Sequence, residues 1–405
     1  MERHRVSVRT RILKYQQRIY KASTCQNVGK LFLQKKLINS LDAKLLAVHR
    51  VTSENKGKRT PGIDKQVAKT NRSKERLVKG LNLDGKAYPV RQVMVPKPGR
   101  TEKRPLGIPT IRDRAKQALA SFALEPQWEA RFEANSYGFR PGRSCQDAAE
   151  AIFSSIGNRR STLGFKKYVL DADIKGCFNE IDHEYLMDTL DTLPEIRRQI
   201  NSWLKAGGLE GFSSDNELSI LPTERGTPQG GIISPLLMNI ALHGMEIHLK
   251  NWVQTQTFPI NSRSLRDKRS SLKVVRYADD FVVIHKDLHI IEGAKMEVEK
   301  WFAATSKLTL SEHKTKIVCT SQGFEFLGWR FMHITAGNGI PRAHIYPSRK
   351  SLKSIVTRIG ETVRNNRAAS AYVMVKRLRP IVMGWCNYHR FVECKDTFQK
   401  LDYLI

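Results

Sequence analysis

Two acidic segments that lie far apart in the chain both border apolar runs. The first is Asp173 in VLDAD, and the second is the pair Asp279 and Asp280 in YADD, which stands between VV and FVVI. Carboxylates next to buried strands are expected to be functional or paired. Only the fold can bring together carboxylates so distant in sequence. The pattern therefore predicts that the two apolar strands lie side by side and place these carboxylates at the same end.

Converging carboxylates suit a magnesium site. Mg²⁺ takes a few carboxylates together with phosphate oxygens and water. Two such ions can make a primer 3′-hydroxyl nucleophilic and stabilise a departing pyrophosphate. Taken alone, YADD also fits a surface turn, but its apolar flanks disfavour that alternative. The pattern therefore predicts that Asp173, Asp279 and Asp280 bind metal and catalyse nucleotide addition.

Positive charge is concentrated at the two ends of the chain. The formal net charge is +30, and 1–60 contain 15 basic and 3 acidic side chains, while 341–405 contain 13 and 4. A protein this basic usually binds a polyanion, because neutralising phosphates releases counterions. Charge that merely maintains solubility is the alternative. The distribution favours a nearly balanced core that is flanked by two arms contacting nucleic acid.

The six cysteines are scattered without a CxxC pair. This spacing excludes the usual zinc and disulfide frameworks and fits a reducing compartment. No apolar run approaches the ~18 residues that a membrane helix needs, and the basic N-terminus lacks the apolar stretch of a signal peptide. We therefore expect a bacterial cytoplasmic or organellar matrix or stromal protein that is neither secreted nor membrane-bound. A transit peptide is disfavoured because helical spacing begins almost at once.

Apolar periodicity predicts a mixture of helices and short strands. Helices are expected over 12–20, 31–51, 113–133, 290–306 and from 350 onward. Strands are expected over 90–95, 105–109, 166–171 and 324–331, with two more within 272–286. The polar stretch 251–271 is expected to be an exposed insertion.

Seven short sequence blocks occur in a characteristic order along the chain. They are PKPGRTEKRPLGIPT, NSYGFRPGRSCQDA, VLDADIKGCFNEIDH, RGTPQGGIISPLLMNI, RYADDFVVI, HKTKI and FEFLGW. Together they resemble the sequence blocks of reverse transcriptases, most closely those encoded by group II introns. The resemblance implies an α+β right-hand polymerase with fingers, a palm with a small antiparallel sheet, and a helical thumb.

The resemblance also implies a domain order. An N-terminal basic helical extension would occupy 1–60, fingers and palm 61–340, and a thumb or X (maturase) domain 341–405. Relatives commonly continue beyond this point, so we expect the thumb to be incomplete, in a naturally short protein or a fragment.

The nucleotide site can be assigned by the same resemblance. Asp173 matches the first catalytic aspartate, Asp279 the second, and Asp280 its neighbour. Phe178 matches the gate that clashes with a ribose 2′-hydroxyl, although core packing would also explain it. The other residues expected to contact the nucleotide are Lys97, Arg104, Gln229 and Lys314.

Each of these cations has an alternative. Lys97 and Arg104 would neutralise the triphosphate, but Lys103 competes and the hairpin could simply be solvated. Lys314 would protonate pyrophosphate as it leaves, with Lys316 and His313 as adjacent candidates.

Template and primer contacts follow from the remaining blocks. The residues implied are Tyr137, Phe139, Arg140, Arg143, Gly230, Gly231, Phe326, Leu327 and Gly328. Aromatic rings and guanidinium groups can stack on bases or hold phosphates, although the first four could form only a structural turn. The two glycines of TPQGG would allow close backbone approach. The last three resemble the turn that grips the primer, although FEFLGW could also be merely a core strand.

The implied function is RNA-directed DNA polymerisation. An RNA template, a DNA primer and deoxynucleoside triphosphates would be the substrates, and two Mg²⁺ ions, with Mn²⁺ as the alternative, the cofactors. The protein would also bind group II intron RNA and assist its splicing. The rival hypotheses are a non-catalytic RNA-binding splicing cofactor and a host-co-opted reverse transcriptase that serves defence.

Overall fold

The N-terminal part of the protein is helical. The structure is a computed structural model that describes residues 2–96, 103–157, 166–209, 220–221, 224–228, 230–257, 264–335 and 341–404. The first helices are α1 (Glu2–Thr24), α2 (Gly29–Asn39), α3 (Leu41–His49) and α4 (Asn71–Lys79). One turn of π-helix, Arg50–Glu54, extends α3.

The single helix predicted over 31–51 is wrong, because it is divided at Ser40. This residue has an extended backbone (φ −69°, ψ 139°), which ends α2. Its hydroxyl accepts a hydrogen bond from the Ala43 amide at 3.2 Å and so caps α3. Apolar spacing continues on both sides of the break, so periodicity alone did not show it.

The predicted fingers begin with a hairpin and a buried helix. Their elements are β1 (Val90–Pro96), β2 (Lys103–Ile108), α5 (Ile111–Glu129) and α6 (Cys145–Ile156). The two strands pair antiparallel, as predicted. Nearly every side chain of α5 is buried, since α1, α2 and α3 pack around it. The N-terminal helices therefore share the core of the domain that they precede.

The central part of the chain alternates strands and helices. In chain order these are β3 (Tyr168–Asp173), α7 (Cys177–Glu180), α8 (His183–Thr189), α9 (Pro194–Lys205), β4 (Gly208–Leu209), β5 (Ile220–Leu221), α10 (Ser234–Ala241), α11 (Met245–Thr255), α12 (Leu265–Ser271), β6 (Lys273–Tyr277), β7 (Asp280–His285), α13 (Leu288–Ala304) and β8 (Lys316–Cys319). The sheet order is β2-β1-β4-β5 in the fingers and β6-β7-β3-β8 in what we call the palm sheet.

Both faces of the palm sheet are buried. Leu170 and Val283 belong to the large core shared with α5 and α13, whereas Val169 and Val282 pack against the second core beneath α6. A strand that is buried on both faces reads as a continuous apolar run. This explains why the YADD segment lies within one.

A third sheet and three helices complete the described chain. They are β9 (Phe324–Phe326), β10 (Trp329–Thr335), β11 (Pro341–Pro347), α14 (Arg349–Arg364), α15 (Ala371–His389) and α16 (Lys395–Leu404). The strands form an antiparallel sheet of order β11-β10-β9. The helices bury a small apolar core of their own. Within the described ranges, no helix has the length and apolar character needed to cross a membrane.

Two local predictions need correction. The strand predicted over 324–331 is a hairpin, because Leu327 (φ 50°) and Gly328 (φ 81°) form a two-residue turn. Leucine is not a turn signal, so apolar periodicity did not show the turn, and only the resemblance to the primer-grip turn implied it. The segment predicted as an exposed insertion is mostly exposed in its described part, as expected, but it is helical: it contains the end of α11 and the whole of α12, which Ser264 caps. Residues 258–263 lie outside the described chain.

Candidate functional site

The three predicted carboxylates meet at one end of the palm sheet. Asp173 ends β3 and stands directly opposite Asp280, the first residue of β7. Asp279 lies in the tight turn between β6 and β7. Its carbonyl accepts a hydrogen bond from the Ile174 amide at 3.3 Å, which joins the turn to the end of β3. The strand register thus brings together groups from two distant segments.

The carboxylates destabilise one another's charge. Burial raises the pKa of Asp279, and repulsion from Asp173 adds to this effect. Burial, a hydrogen bond with Asp173 and repulsion from Asp279 raise the pKa of Asp280 to about 7. Like charges held together in this way favour proton uptake or a bound cation. The site therefore has the charge that a divalent ion would neutralise.

The donor set fits Mg²⁺ but not a closed metal cage. Among the described residues, no group of three or more His, Cys, Asp or Glu side chains is placed to hold a metal ion by itself. Mg²⁺ commonly keeps several waters and is bound by one or two carboxylates plus substrate phosphates. Asp173 and Asp280 lie opposite each other on β3 and β7, and Asp279 lies beside them. This arrangement is compatible with Mg²⁺ ions whose coordination is completed by substrate phosphates and water.

A lysine lies directly against the site. The Lys314 ammonium donates a hydrogen bond to the Asp173 carboxylate at 2.7 Å. The Ser311 amide donates to the Asp173 carbonyl at 2.8 Å, and the Lys314 amide donates to the Ser311 carbonyl at 3.1 Å. The turn that carries Lys314 is thus fixed to the strand end, while its side chain is about half exposed. Lys316 instead lies on β8, opposite Asp171.

A buried hydrogen-bond network fixes the YADD turn, and its residues were not predicted from the sequence. The fully buried Arg276 guanidinium donates to the Ala278 carbonyl at 3.2 Å and to the Asn239 side-chain oxygen at 3.0 Å. The Asn239 amide in turn donates to the Gly138 carbonyl at 2.8 Å. Ala278 has a left-handed backbone (φ 59°), which is rare for a residue with a Cβ. The available sequence signal was a charged residue inside the apolar run VVRY.

The predicted gate lies next to this network. Phe178 is half-buried on α7, and its carbonyl accepts the Thr227 amide at 2.6 Å. The ring centroid of Phe139 is 6.5 Å from that of Phe178, with planes inclined at 74°. Gln229 lies outside the described residues.

The two glycines of TPQGG pack closely against other parts of the protein. Gly230 has φ 114°, and a Cβ there would come to 2.5 Å from the Gly107 carbonyl on β2. A Cβ on Gly231 would meet the Ser234 hydroxyl at 2.5 Å. The absence of side chains therefore permits packing of this loop on the fingers hairpin and on α10. A close approach to template or nucleotide is not needed to explain them.

The fingers hairpin presents exposed cations. Arg104 lies on β2 opposite Val95, and Lys103 precedes it opposite Pro96. Both side chains are exposed. Lys97 lies outside the described residues. The structure thus keeps both described cations available to a polyphosphate and does not choose between them.

The four residues predicted to contact template separate into two groups. Tyr137 is buried in the second core, and Arg140 is only 6% exposed. The Arg140 guanidinium forms two hydrogen bonds with Glu129, at 2.8 and 2.9 Å, and donates to the carbonyls of Glu133 and Ser136. The structure therefore gives Arg140 a supporting role and does not support a template contact.

The other two residues remain accessible. Arg143 is exposed, lies over the Tyr137 ring and donates to the Ala134 carbonyl at 2.9 Å. Phe139 is 55% exposed and has a left-handed backbone (φ 58°). These two side chains could reach a nucleic acid or a nucleotide.

The predicted primer grip is a turn that contacts the C-terminal helices. Phe326 is buried, so only the turn itself can face a primer. The Tyr388 hydroxyl donates to the Leu327 carbonyl at 2.8 Å, and the Ser348 amide donates to the Gly328 carbonyl at 2.9 Å. Tyr388 also stacks on Trp329, with ring centroids 4.6 Å apart. The turn and the base of the thumb helices are therefore linked.

Known families match most of the chain. Residues 95–331 match the family described as reverse transcriptase (RNA-dependent DNA polymerase). Residues 5–81 match the N-terminal domain of reverse transcriptase, and 352–405 match the group II intron, maturase-specific domain.

Curated relatives agree with these matches. Protein YkfC of Escherichia coli (strain K12) is 30% identical over 363 residues, which cover 82% of this chain and 88% of that protein. The group II intron-encoded protein LtrA of Lactococcus lactis subsp. cremoris is 31% identical over 328 residues, covering 68% of this chain but 52% of LtrA. Maturase-like protein 1 of Euglena gracilis is 25% identical over 409 residues, covering 96% and 77%.

This chain thus spans about half the length of LtrA and most of the length of YkfC. The carboxylate site lies within the region that matches the polymerase family, and the three C-terminal helices largely coincide with the maturase-specific match. The chain therefore belongs to the reverse transcriptase family of RNA-directed DNA polymerases, and to its group II intron-encoded reverse transcriptase and maturase branch.

Proposed function

We propose that this site extends a DNA primer on an RNA template with deoxynucleoside triphosphates, and that Asp173, Asp279 and Asp280 bind two Mg²⁺ ions. The observation that carries the proposal is the register of the palm sheet, which sets Asp173 opposite Asp280 with Asp279 in the adjoining turn. When bound, the ions supply stabilisation of negative charge on the attacking and leaving oxygens. Mn²⁺ is the alternative ion.

The protein's own residues would hold and neutralise the substrate. Exposed Arg104 is available to bind the triphosphate, and Lys97 and Gln229 are assigned to the nucleotide on the resemblance alone. Lys314 would release Asp173 when metal binds and then deliver its proton to the departing pyrophosphate. Its position against the carboxylate supports this role, because an ammonium there is within reach of groups held by Asp173.

The sugar would be selected by Phe178. The ring is half-buried, and α7 follows shortly after Asp173 ends β3. The Phe178 carbonyl accepts the Thr227 amide, which restrains the backbone that carries the ring. A rigid ring can exclude a ribose 2′-hydroxyl by steric overlap, whereas a deoxyribose fits.

Maturase activity is the second function that we propose. The maturase-specific match over 352–405 favours it, as do the basic side chains of 341–405. Cations on helices can neutralise phosphates of a folded RNA, and the binding should weaken as salt rises. The RNA partner would be a group II intron.

We propose the domain order that the resemblance implies. A basic extension would precede the fingers and palm, and the thumb would follow. We also propose a reducing location, either a bacterial cytoplasm or an organellar matrix or stroma. The six cysteines support this, since all are free and none forms a disulfide.

The proposal is tested by primer extension with the full chain. A DNA primer is annealed to an RNA template, and extension is followed with Mg²⁺, with Mn²⁺ and with a chelator. We expect metal-dependent extension by deoxynucleotides. Binding of the primer–template without extension under either ion would refute the polymerase assignment and support a non-catalytic RNA-binding cofactor.

A further inference from the structure

An exposed aromatic side chain stands beside the catalytic turn. Phe139 is 55% exposed although it follows buried Tyr137. The Tyr137 amide donates to the Arg276 carbonyl at 2.9 Å, so this segment runs alongside the end of β6. Gly138 then packs against Ala278 of the YADD turn. The chain therefore brings Phe139 to the site by direct attachment to the strand that carries the catalytic turn.

The backbone of Phe139 adopts an unfavourable conformation to place this ring. Its φ of 58° lies in the left-handed region, which residues with a Cβ seldom occupy. Such conformations persist only where surrounding contacts enforce them, and they cluster at functional sites. Here the enforcing contact is the Asn239 side chain, which donates to the preceding carbonyl of Gly138 at 2.8 Å.

The Phe139 ring lies against the ring of the predicted gate, Phe178. Phe139 and Phe178 lie 6.5 Å apart between centroids, with planes at 74°. This edge-to-face arrangement is favourable for aromatic rings and restricts how each can rotate. The Phe178 backbone is restrained as well, because its carbonyl accepts a hydrogen bond from the Thr227 amide at 2.6 Å. The gate ring is therefore confined by its backbone and by one neighbouring ring.

We propose that Phe139 is a positioning residue for sugar selection: it supports Phe178 in the orientation that rejects a ribose 2′-hydroxyl. The proposal rests on the proposed function, in which Phe178 is the gate. It replaces the template contact that the sequence had implied for Phe139. With a smaller side chain at residue 139, the Phe178 ring gains space to turn aside, and ribonucleotides are accepted more readily.

The experiment measures single-nucleotide incorporation on one RNA template, with kcat and KM determined for a deoxynucleotide and for the matching ribonucleotide. The variants are Phe139→Ala and Phe139→Leu, which removes the aromatic edge but keeps an apolar side chain. Phe178→Ala tests the gate itself. Met296→Ala is the control, because it removes an exposed apolar side chain from α13, outside the site.

We expect Phe139→Ala to lower the preference for the deoxynucleotide about three- to tenfold, mainly through a lower KM for the ribonucleotide. Phe139→Leu should show a smaller change in the same direction. Affinity for primer–template should stay within about twofold of wild type, as a supporting ring would require. Met296→Ala should leave both the preference and the affinity unchanged.

The outcomes separate the two assignments. If Phe178→Ala lowers the preference while both Phe139 variants keep it and only weaken template affinity, Phe139 is a template contact and the inference is overturned. If Phe178→Ala itself leaves the preference unchanged, the gate assignment fails and the inference fails with it. A reduced preference in both Phe178→Ala and Phe139→Ala supports the inference.

Discussion

Gly138 packs so closely against Ala278 that no side chain fits between them. A Cβ on Gly138 would lie 3.0 Å from both the Cα and the Cβ of Ala278, and closer still to its nitrogen. Ala278 is the residue of YADD with a left-handed backbone. Arg276 and Asn239 bind the same two residues through hydrogen bonds. The catalytic turn is therefore shaped by a segment that lies well before it in the sequence.

Gly138→Ala should displace the catalytic turn. The added methyl group meets backbone atoms, which cannot rotate away, so we expect about 1–3 kcal/mol of destabilisation and a fall in kcat of about tenfold or more. Gly142→Ala is the matched control. Unlike Gly138, it lies at positive φ (67°), so a Cβ there strains its own backbone, but no atom lies within 4 Å of its Cβ position and kcat should stay at the wild-type value. Thermal unfolding and steady-state extension measure both effects, and wild-type kcat in Gly138→Ala would contradict the account.

Two neighbouring arginines should behave differently. Arg140→Ala removes a buried partner of Glu129 and should cost about 3–5 kcal/mol of stability, because the carboxylate is left without its cation. Arg143→Ala should change stability by less than about 1 kcal/mol and weaken primer–template binding. Chemical denaturation and a binding titration decide this. Equal stability losses in the two variants would refute the division into supporting and accessible arginines.

The different burial of Arg140 and Arg143 could not be predicted from the sequence, although other features could. The strands beside Asp173 and Asp279 were predictable, since apolar runs buried on both faces have a recognisable pattern. The hairpin of β1 and β2 was predictable from PKPG between two apolar strands. Whether an arginine is buried depends on a partner such as Glu129, which no spacing rule identifies. The role of Asn239 was hidden for the same reason, because its contacts with Gly138 and Arg276 are long-range.

Local geometry also escaped prediction where the turn residue was unusual. Leu327 occupies a positive φ in the turn between β9 and β10, a position at which glycine or asparagine would have been a signal. The break at Ser40 was obscured by apolar residues that continue in register on both sides, although serine is itself a favoured helix N-cap.

Removing a single hydroxyl group should weaken the link between the primer-grip turn and the thumb. Tyr388→Phe removes the hydroxyl that donates to the Leu327 carbonyl but keeps the stacking on Trp329. We expect a loss of about 1 kcal/mol of stability. Extension should show a higher KM for primer–template with little change in kcat, because the turn holds the primer and does not perform chemistry. An unchanged KM would contradict the link.

The thumb should loosen in acid because of His389. Burial lowers its pKa from 6.5 to about 4, and its imidazole is hydrogen-bonded to Ser351 at 2.9 Å. The cleft beside it is lined by Glu325, Lys350 and Arg358. Between these pKa values the native state binds fewer protons than the unfolded state, so stability rises with pH. This stability is fully present above 6.5 and is lost as the pH falls toward 4.

His389→Gln isolates this contribution. Glutamine can keep a hydrogen bond to Ser351 but does not titrate, so the free energy of unfolding should depend less on pH over that interval than in wild type. Denaturation curves at several pH values give the difference between the two slopes. Parallel curves for the two proteins would show that His389 does not titrate as described.

The central claim is that the three carboxylates at the end of the palm sheet perform the chemistry. The most direct measurement compares primer extension by wild type, Asp279→Asn and Asp188→Asn, an exposed control on α8. We expect Asp279→Asn to lose activity roughly a thousandfold or more, since several kcal/mol of charge stabilisation disappears, while primer–template affinity and thermal stability are retained. Asp188→Asn should resemble wild type. Extension by Asp279→Asn at the wild-type rate would contradict the account.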